Sequence, residues 1–301
     1  MSETCLIFGA SSWIAQRFIK KAKSVANLRI LEIYRGGNMT ADERVIGDPL
    51  DYEFVNQLIK SEKPSQIINF CGVALSDDRV DEMEAINVNI SKNILRSIQN
   101  NYLNSRLIAL GSAAEYGVAD SEVISESCHC DPVSQYGKTK LRQTKLVLES
   151  ESCVANRHLI VRPFNLVGVD MPESIIAHTL WSKAKEVVDG EDLDLFFPEM
   201  VRDFLDVDDA VTGILSLMKS NEGNAIFNLS SGNEISYKSF IKAMLSALNK
   251  KCTVIQSPHM MGKPALVPSA VGSSMKLKQS TGWTAGTSLA MTFQKILKHE
   301  R

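Results

Sequence analysis

The chain predicts a doubly wound α/β fold, a parallel sheet with helices on both faces, followed by a smaller C-terminal α/β region. Short continuous apolar runs recur, among them Cys5-Leu6-Ile7-Phe8 and Leu107-Ile108-Ala109-Leu110, as expected of parallel strands buried on both faces. Segments of helical period separate these runs, which is the βαβ alternation of such a sheet. A cluster of small residues, Gly9-Ala10-Ser11-Ser12, lies between the first run and the first helical pattern.

Taken in order, the first helix carries Ile14, Phe18 and Ala22 at helical spacing. A turn that holds a dinucleotide needs small residues here, so that backbone amides and the helix N-terminus can approach a pyrophosphate. The second strand spans Leu28 to Tyr34 and ends at Arg35-Gly36-Gly37. An acid at this tip accepts ribose hydroxyls, whereas an arginine matches a 2'-phosphate. Arg35 therefore points to NADP(H), and Glu32 is the NAD-type acid if the strand ends earlier. Val45 to Asp51 gives a short strand and a turn at Asp48-Pro49. A helix through Phe54, Leu58 and Ile59 precedes the strand Gln66 to Gly72, and Met83, Ile86, Ile90, Ile94 and Ile98 mark the next helix face.

The run Leu107–Leu110 stops at Gly111-Ser112, so a buried strand delivers a serine at its tip. Tyr136-Gly137-Lys138-Thr139-Lys140 then opens a helix on which Tyr136 and Lys140 share a face one turn apart. An ammonium beside a phenol favours the phenolate and is expected to lower the tyrosine pKa toward working pH. A hydroxyl, a tuned phenol and a lysine together can move a proton on and off a carbonyl or alcohol oxygen. His158 to Arg162 gives a sixth strand, running into Pro163-Phe164-Asn165-Leu166-Val167-Gly168.

Composition narrows the class. The 301 residues are 44% hydrophobic and 23% charged with a formal net charge of -2, ordinary for a soluble protein and unlike a nucleic-acid or polybasic membrane binder. No apolar run approaches the roughly 18 residues of a membrane span. Met1-Ser2-Glu3-Thr4 passes into a strand without a basic flank or signal core, so a cytoplasmic location is expected. Cysteines stand at 5, 71, 128, 130, 153 and 252; Cys5 and Cys71 lie in apolar runs, which suits reduced, buried thiols, and Cys128-His129-Cys130 lacks zinc-site spacing, so no metal is expected. Asp203, Asp206, Asp208 and Asp209 lack the glycine and closing Glu of a calcium loop and read as turn and cap residues.

The stretch from Ser112 to Lys140 resembles the catalytic segment of the extended short-chain dehydrogenase/reductases, the NAD-dependent epimerase/dehydratase family. Thr139 stands for that family's usual Ser and Gln135 for its usual Pro. Of its G-x-x-G-x-x-G turn only Gly9 survives, with Ser12 and Ala15 in the other places. Gly47-Asp48-Pro49-Leu50-Asp51 is similar to G-D-x-x-D, Arg162-Pro163-Phe164-Asn165 to R-P-F-N, and Arg202-Asp203-Phe204 to R-D-F; Gly282-Trp283 matches loosely.

The resemblance implies a Rossmann domain over 1–165, with 204–231 returning to it, and a substrate-binding domain from 166–203 and 232–301. It implies catalysis by Ser112, Tyr136 and Lys140. It implies cofactor contacts from Gly9, Ser11, Ser12, Trp13, Ile14, Arg35, Asp48, Pro49, Cys71, Gly72, Asn87 and Pro163, besides Tyr136 and Lys140. Asp48 would meet the adenine amino group, and Asn87 would brace the catalytic strand. Substrate contacts would come from Ser112, Ala113, Ala114, Asn165 and Arg202, the last two on the diphosphate of a sugar nucleotide. Leu180, Trp181, Phe196 and Phe197 could pack on a base or sugar, though hydrophobic core is the commoner fate of such residues. A homodimer is expected through the helices near Met83–Ile98 and Tyr136–Glu149, with Ile90, Ile94, Leu141 and Leu148 as apolar residues, some of which must face the sheet of their own subunit.

Within the family the pattern is most like the GDP-6-deoxy-4-keto-mannose reductases, which implies an NADPH-dependent 4-ketoreductase of deoxysugar biosynthesis acting on a GDP sugar. A C4 epimerase or 4-dehydrogenase on the same scaffold stays open, as does a non-catalytic nucleotide-binding relative. A 4,6-dehydratase is disfavoured, because the carboxylate it needs two residues after Ser112 is replaced by Ala114, and Glu115 is one residue too late.

Overall fold

The computed structural model describes residues 3–25, 28–36, 43–150, 157–257 and 267–300; Met1, Ser2, Gly37 and Cys153, named above, lie outside the described residues. In chain order the elements begin with β1 (Glu3–Phe8), α1 (Trp13–Val25), β2 (Leu28–Tyr34), β3 (Arg44–Ile46), α2 (Tyr52–Glu62) and β4 (Gln66–Asn69). Then come α3 (Val80–Glu84), a π-helical turn at Ala85–Asn89, α4 (Ile90–Asn100), β5 (Arg106–Leu110) and α5 (Gln135–Leu148). β6 (Leu159–Pro163), β7 (Asn165–Val167), α6 (Ile176–Glu186), β8 (Asp192–Leu195), β9 (Val201–Arg202), β10 (Phe204–Asp206), α7 (Val207–Lys219) and β11 (Ala225–Leu229) follow. The chain closes with β12 (Ile235–Ser236), α8 (Tyr237–Ala247), β13 (Thr253–Gln256), β14 (Ser269–Ala270), α9 (Met275–Thr281) and α10 (Leu289–His299).

Seven parallel strands form one sheet in the order β11-β6-β5-β4-β1-β2-β3, the doubly wound α/β arrangement the apolar runs predict. Alternation along each strand fills both faces. Cys5, Ile7, Ile30, Ile108 and Phe227 pack with α1 and α7, while Leu6, Phe8, Leu31, Leu107 and Ile160 pack with α2, α4 and α5. Local chemistry sets the element ends. The Asp51 carboxylate caps α2 by accepting from the Glu53 N–H at 2.9 Å, and Lys63 closes it in a left-handed conformation. The helix therefore starts after Asp48-Pro49, which forms the preceding turn.

Two elements differ from the sequence expectation. β4 ends at Asn69 rather than Gly72, because the Asn69 side chain accepts the Cys71 N–H at 2.9 Å and turns the chain out of the sheet. The helix expected over Met83–Ile98 contains a π turn that rotates Asn87 into the interior. Of the four apolar residues named for a dimer, Ile90 and Ile94 face their own sheet, 4% and 0% exposed in its core.

The second half is built from small sheets, β12-β9-β14, β13-β8 and β10-β7, with α6, α8 and α10 around one aromatic cluster. Phe204 and Phe240 stack with ring centroids 3.7 Å apart, and Trp181 stacks on Phe293 at 5.8 Å. Leu180 and Trp181 are thus core residues and not a sugar platform; Phe196 is exposed. The acidic run acts in caps and turns as expected. Asp206 caps α7 through the Asp208 N–H, and Asp209 accepts the Gly286 and Thr287 N–H groups. Trp13 and Arg17 of α1 both donate to the Val169 carbonyl, tying the first helix to the second half.

His158 joins β5 to β6 as a neutral ring: its Nδ1 accepts the Leu107 N–H at 3.1 Å and the residue is 1% exposed. Burial, aided by Arg106, pulls its pKa from 6.5 to about 4. The stabilisation is complete above the unfolded value and is lost as pH falls toward the folded one. Urea unfolding should show a loss of about 2 kcal/mol from this group between about pH 7 and about pH 5. His158→Gln should remove that part of the pH slope; equal slopes would show that the ring does not titrate as described.

Candidate active site

Two clefts open at the C-terminal ends of the sheet strands. The first, about 220 Å³, is lined by Gly9, Ser11, Ser12, Arg35, Asp48, Pro49, Cys71 and Gly72, which brings together most of the residues expected to meet a cofactor. Gly9 has φ +73°, and a Cβ there would lie 2.8 Å from the Cys71 nitrogen, so this turn position requires glycine. The Trp13 and Ile14 side chains are elsewhere: Trp13 donates to Val169 and Ile14 is buried in the core, which leaves only their backbone amides near the turn. Glu32 faces away from this cleft. Its carboxylate receives Tyr34 at 2.7 Å and Lys23 at 2.9 Å on the α1 side of the sheet. Arg35 lies on the cleft, with its Nε 3.7 Å from Asp48.

The second cleft, about 340 Å³, is lined by Ser112, Ala113, Ala114, Tyr136, Pro163, Asn165 and Arg202, with Phe164, Val133 and Ala270 completing its apolar wall. Pro163 thus falls on this side and not in the first cleft. Ser112 leaves β5 in an extended conformation and caps the following 3₁₀ turn, its Oγ accepting the Ala114 N–H. Ser134 caps α5 by accepting the Gly137 N–H at 3.0 Å, which starts the helix one residue before Tyr136. Across the cleft, Asn165 is fixed by its amide donating to the Asp203 carbonyl at 3.0 Å. The Arg202 guanidinium lies 5.8 Å from the Tyr237 ring, and burial holds its pKa below the usual arginine value.

The electrostatics correct the expectation of a phenolate tuned by Lys140. Burial pushes the Tyr136 phenol up, with the Ser112 hydroxyl pulling the other way and Glu115 adding to the rise. Lys140 does not counter this, because its ammonium is engaged elsewhere: it donates to the Leu110 carbonyl at 2.7 Å and to Gln143 at 2.9 Å. Burial pulls Lys140 itself down to about 8, against Glu115 and Cys71. Asn87 is also corrected. It grips Val73, after β4, through both backbone N–H and carbonyl, and donates to Thr139 on α5, so it braces the loop above the first cleft and not β5.

Sequence reasoning missed the role of Glu115 and Arg162. Glu115 is fully buried and receives Arg162, the Thr144 hydroxyl and the Ser112 N–H. The available signal was a lone arginine ending an apolar strand and a lone glutamate beside buried residues, since such charges are rarely buried unpaired. Tyr237, and the buried Asn69, Ser91 and Gln143 behind Lys140, left no comparable signal. Among the described residues no group of three His, Cys, Asp or Glu could hold a metal, and no helix is long and apolar enough to cross a membrane.

The chain is similar to several known proteins. GDP-6-deoxy-D-mannose reductase of Pseudomonas aeruginosa is 25% identical over 244 residues, 78% of this chain and 80% of the relative. UDP-glucose 4-epimerase of Lacticaseibacillus casei is 23% identical over 305 residues, 93% of this chain and 91% of the relative. The solved structure of RMD from Pseudomonas aeruginosa complexed with NADPH has a TM-score of 0.80 at 19% identity, covering 99% of this chain and 98% of that one. The pattern of one family matches residues 5–230, well over half of the chain, and the chain belongs to the NAD dependent epimerase/dehydratase family.

Proposed function

We propose that the protein is an NADPH-dependent reductase of the 4-keto group of a nucleotide-diphosphate-linked 4-keto-6-deoxy sugar, with GDP as the nucleotide. The observation that carries the reading is the second cleft. It gathers two hydroxyls, Ser112 and Tyr136, opposite Asn165 and Arg202, and no carboxylate is among its lining residues; Glu115, beside Ala114 in sequence, is locked on Arg162. Ala114, where a dehydratase needs its acid, can neither take nor give a proton.

The first cleft fits a dinucleotide. Gly9 leaves room for close approach, the start of α1 offers backbone N–H groups, Asp48 accepts, and Arg35 suits a 2'-phosphate. Glu32, already saturated by Tyr34 and Lys23, is the weaker candidate for a ribose contact. When bound, NADPH supplies the hydride. Tyr136, kept protonated by burial, gives its proton to the carbonyl oxygen as negative charge develops there. Ser112 donates a hydrogen bond to the same oxygen. Lys140 has two of its three N–H groups on protein acceptors and offers the third to the cofactor ribose. Asn165 and Arg202 hold the diphosphate and so orient the sugar. The apolar wall of Ala113, Ala114 and Phe164 suits a C6 methyl group. The residues 166–203 and 232–301 would form the substrate side, and a homodimer would pair α4 with α5 through Leu141 and Leu148.

The higher coverage by a UDP-glucose 4-epimerase favours a second reading, and stoichiometry separates the two. A nucleotide 4-keto-6-deoxyhexose should oxidise NADPH one for one and stop when it is exhausted. Sustained turnover without added cofactor would replace the reductase reading by the epimerase one.

Tyr136→Phe should lower kcat by about 10²–10⁴-fold while leaving NADPH affinity nearly unchanged. Near-normal rates would remove Tyr136 as proton donor. Arg35→Ala should weaken NADPH binding about tenfold or more and leave NADH binding alone, since only the 2'-phosphate loses a partner. Equal losses for the two nucleotides would return the ribose contact to Glu32.

A further inference from the structure

A chain of buried polar side chains runs behind the two clefts. Lys140 Nζ donates to Gln143 Oε1 at 2.9 Å, and Gln143 Nε2 donates to Ser91 Oγ at 2.9 Å. Asn69 Nδ2 donates to the same hydroxyl at 2.9 Å, and Asn69 Oδ1 accepts the Cys71 N–H at 2.9 Å. Asn69, Ser91 and Gln143 have no solvent exposure and Lys140 has 2%. They come from β4, α4 and α5, so three separate elements meet in one path.

The two ends of the path dictate its directions. An ammonium and a backbone N–H can only donate. The Gln143 oxygen must therefore face Lys140 and the Asn69 oxygen must face Cys71, which turns both amide NH₂ groups onto Ser91. Its hydroxyl accepts twice, the full capacity of a serine oxygen. An alanine at 91 would leave two buried amide donors without a partner, and a carboxylate at 143 would place a charge against the lysine.

We infer that Gln143, Ser91 and Asn69 are positioning residues that lock the Lys140 ammonium to the Cys71–Gly72 backbone, so that the lysine and the floor of the cofactor cleft keep one fixed separation. Gly72 agrees with this: a Cβ there would lie 3.0 Å from Lys140 Nζ. The inference rests on the reading of the first cleft and of Lys140 given above. The neutral partner has a consequence for charge. The titratable groups facing Lys140 are Glu115 from the strand-tip turn and Cys71 from the segment after β4, with Tyr136 one turn back on its own helix. α4 contributes only Ser91 to the path. Because Gln143 adds no charge, burial prevails and Lys140 titrates near 8.

NADPH fluorescence titrations from about pH 6 to about pH 10 test this without a sugar substrate. Affinity in the unaltered protein should fall as the ammonium loses its proton, with a midpoint near 8. Gln143→Glu should move that midpoint upward by about one unit or more, since an adjacent carboxylate favours the ammonium. Gln143→Met removes the acceptor without adding charge. It should weaken binding about tenfold near neutral pH with no upward shift, and it carries the test should the buried carboxylate prevent folding. Ser91→Thr, which keeps the hydroxyl, should bind within about threefold of the unaltered protein, and Ser91→Ala should lose about tenfold. Unchanged affinity and midpoint in both Gln143 variants would overturn the positioning role alone. Failure of the unaltered protein to bind NADPH would overturn the reading of the cleft and this inference with it.

Discussion

Glu115 and Arg162 meet with 0% and 1% side-chain exposure, Nη2 at 2.6 Å and Nε at 2.8 Å from one carboxylate oxygen. The pair ties the turn after β5 to β6, and the same carboxylate accepts the Thr144 hydroxyl of α5 and the Ser112 backbone N–H at the strand tip. Removing one partner of such a pair strands a buried charge at a cost of about 3–5 kcal/mol, whereas replacing both by apolar residues can be neutral. What the pair contributes is therefore position. It sets where Ser112 leaves the sheet relative to the helix that carries Tyr136. The arginine also faces the Tyr116 ring at 4.5 Å, and Tyr116 passes the constraint on by donating to Asn228 on β11 at 2.7 Å. One ion pair thus joins β5, β6 and α5, and through the ring β11, around the second cleft.

Burial has opposite effects on Tyr136 and Lys140, and both effects favour the uncharged form. It raises Tyr136 and lowers Lys140 to about 8. Burial thus favours the protonated phenol at Tyr136. The fixed acceptors of Lys140, the Leu110 carbonyl and Gln143, are neutral, so Glu115 is left as the carboxylate that favours its ammonium.

Much of the fold was legible because parallel strands and amphipathic helices are written in short periods. Cys5–Phe8 and Leu107–Leu110 announce buried strands, and Ile14, Phe18 and Ala22 place one face of α1. The residues of the two clefts were legible for a related reason, since they fall at strand ends and helix starts. What escaped depends on partners distant in sequence. The π turn at Ala85–Asn89 is invisible to a 3.6-residue period, yet it places Asn87 against Val73 and Thr139. Period alone does not say which apolar residues of α4 face a partner and which their own sheet; Ile90 and Ile94 serve their own core. Spacing put Tyr136 and Lys140 on one helix face correctly, but the pKa consequence failed, because spacing does not show that the ammonium has other acceptors.

The worn glycine motif follows from the same separation of local and distant constraints. Three positions in the turn after β1 are small, but only Gly9 combines a positive φ with a Cβ position closed by the Cys71 backbone. Ser12 has room for its hydroxyl, which accepts the Ala15 N–H at 3.4 Å, and Ala15 fills its place against the sheet with 0% exposure. Small side chains at these two places satisfy the packing as glycine would, and they restrict the unfolded chain more. The turn is further held from beneath, where Gln16 donates to the Ala10 carbonyl and to Tyr34, itself bonded to Glu32. From the other side, Trp13 donates to Val169 in the second half. A turn supported on both sides needs the conformational freedom of glycine only where the backbone itself demands it, and here that is one residue.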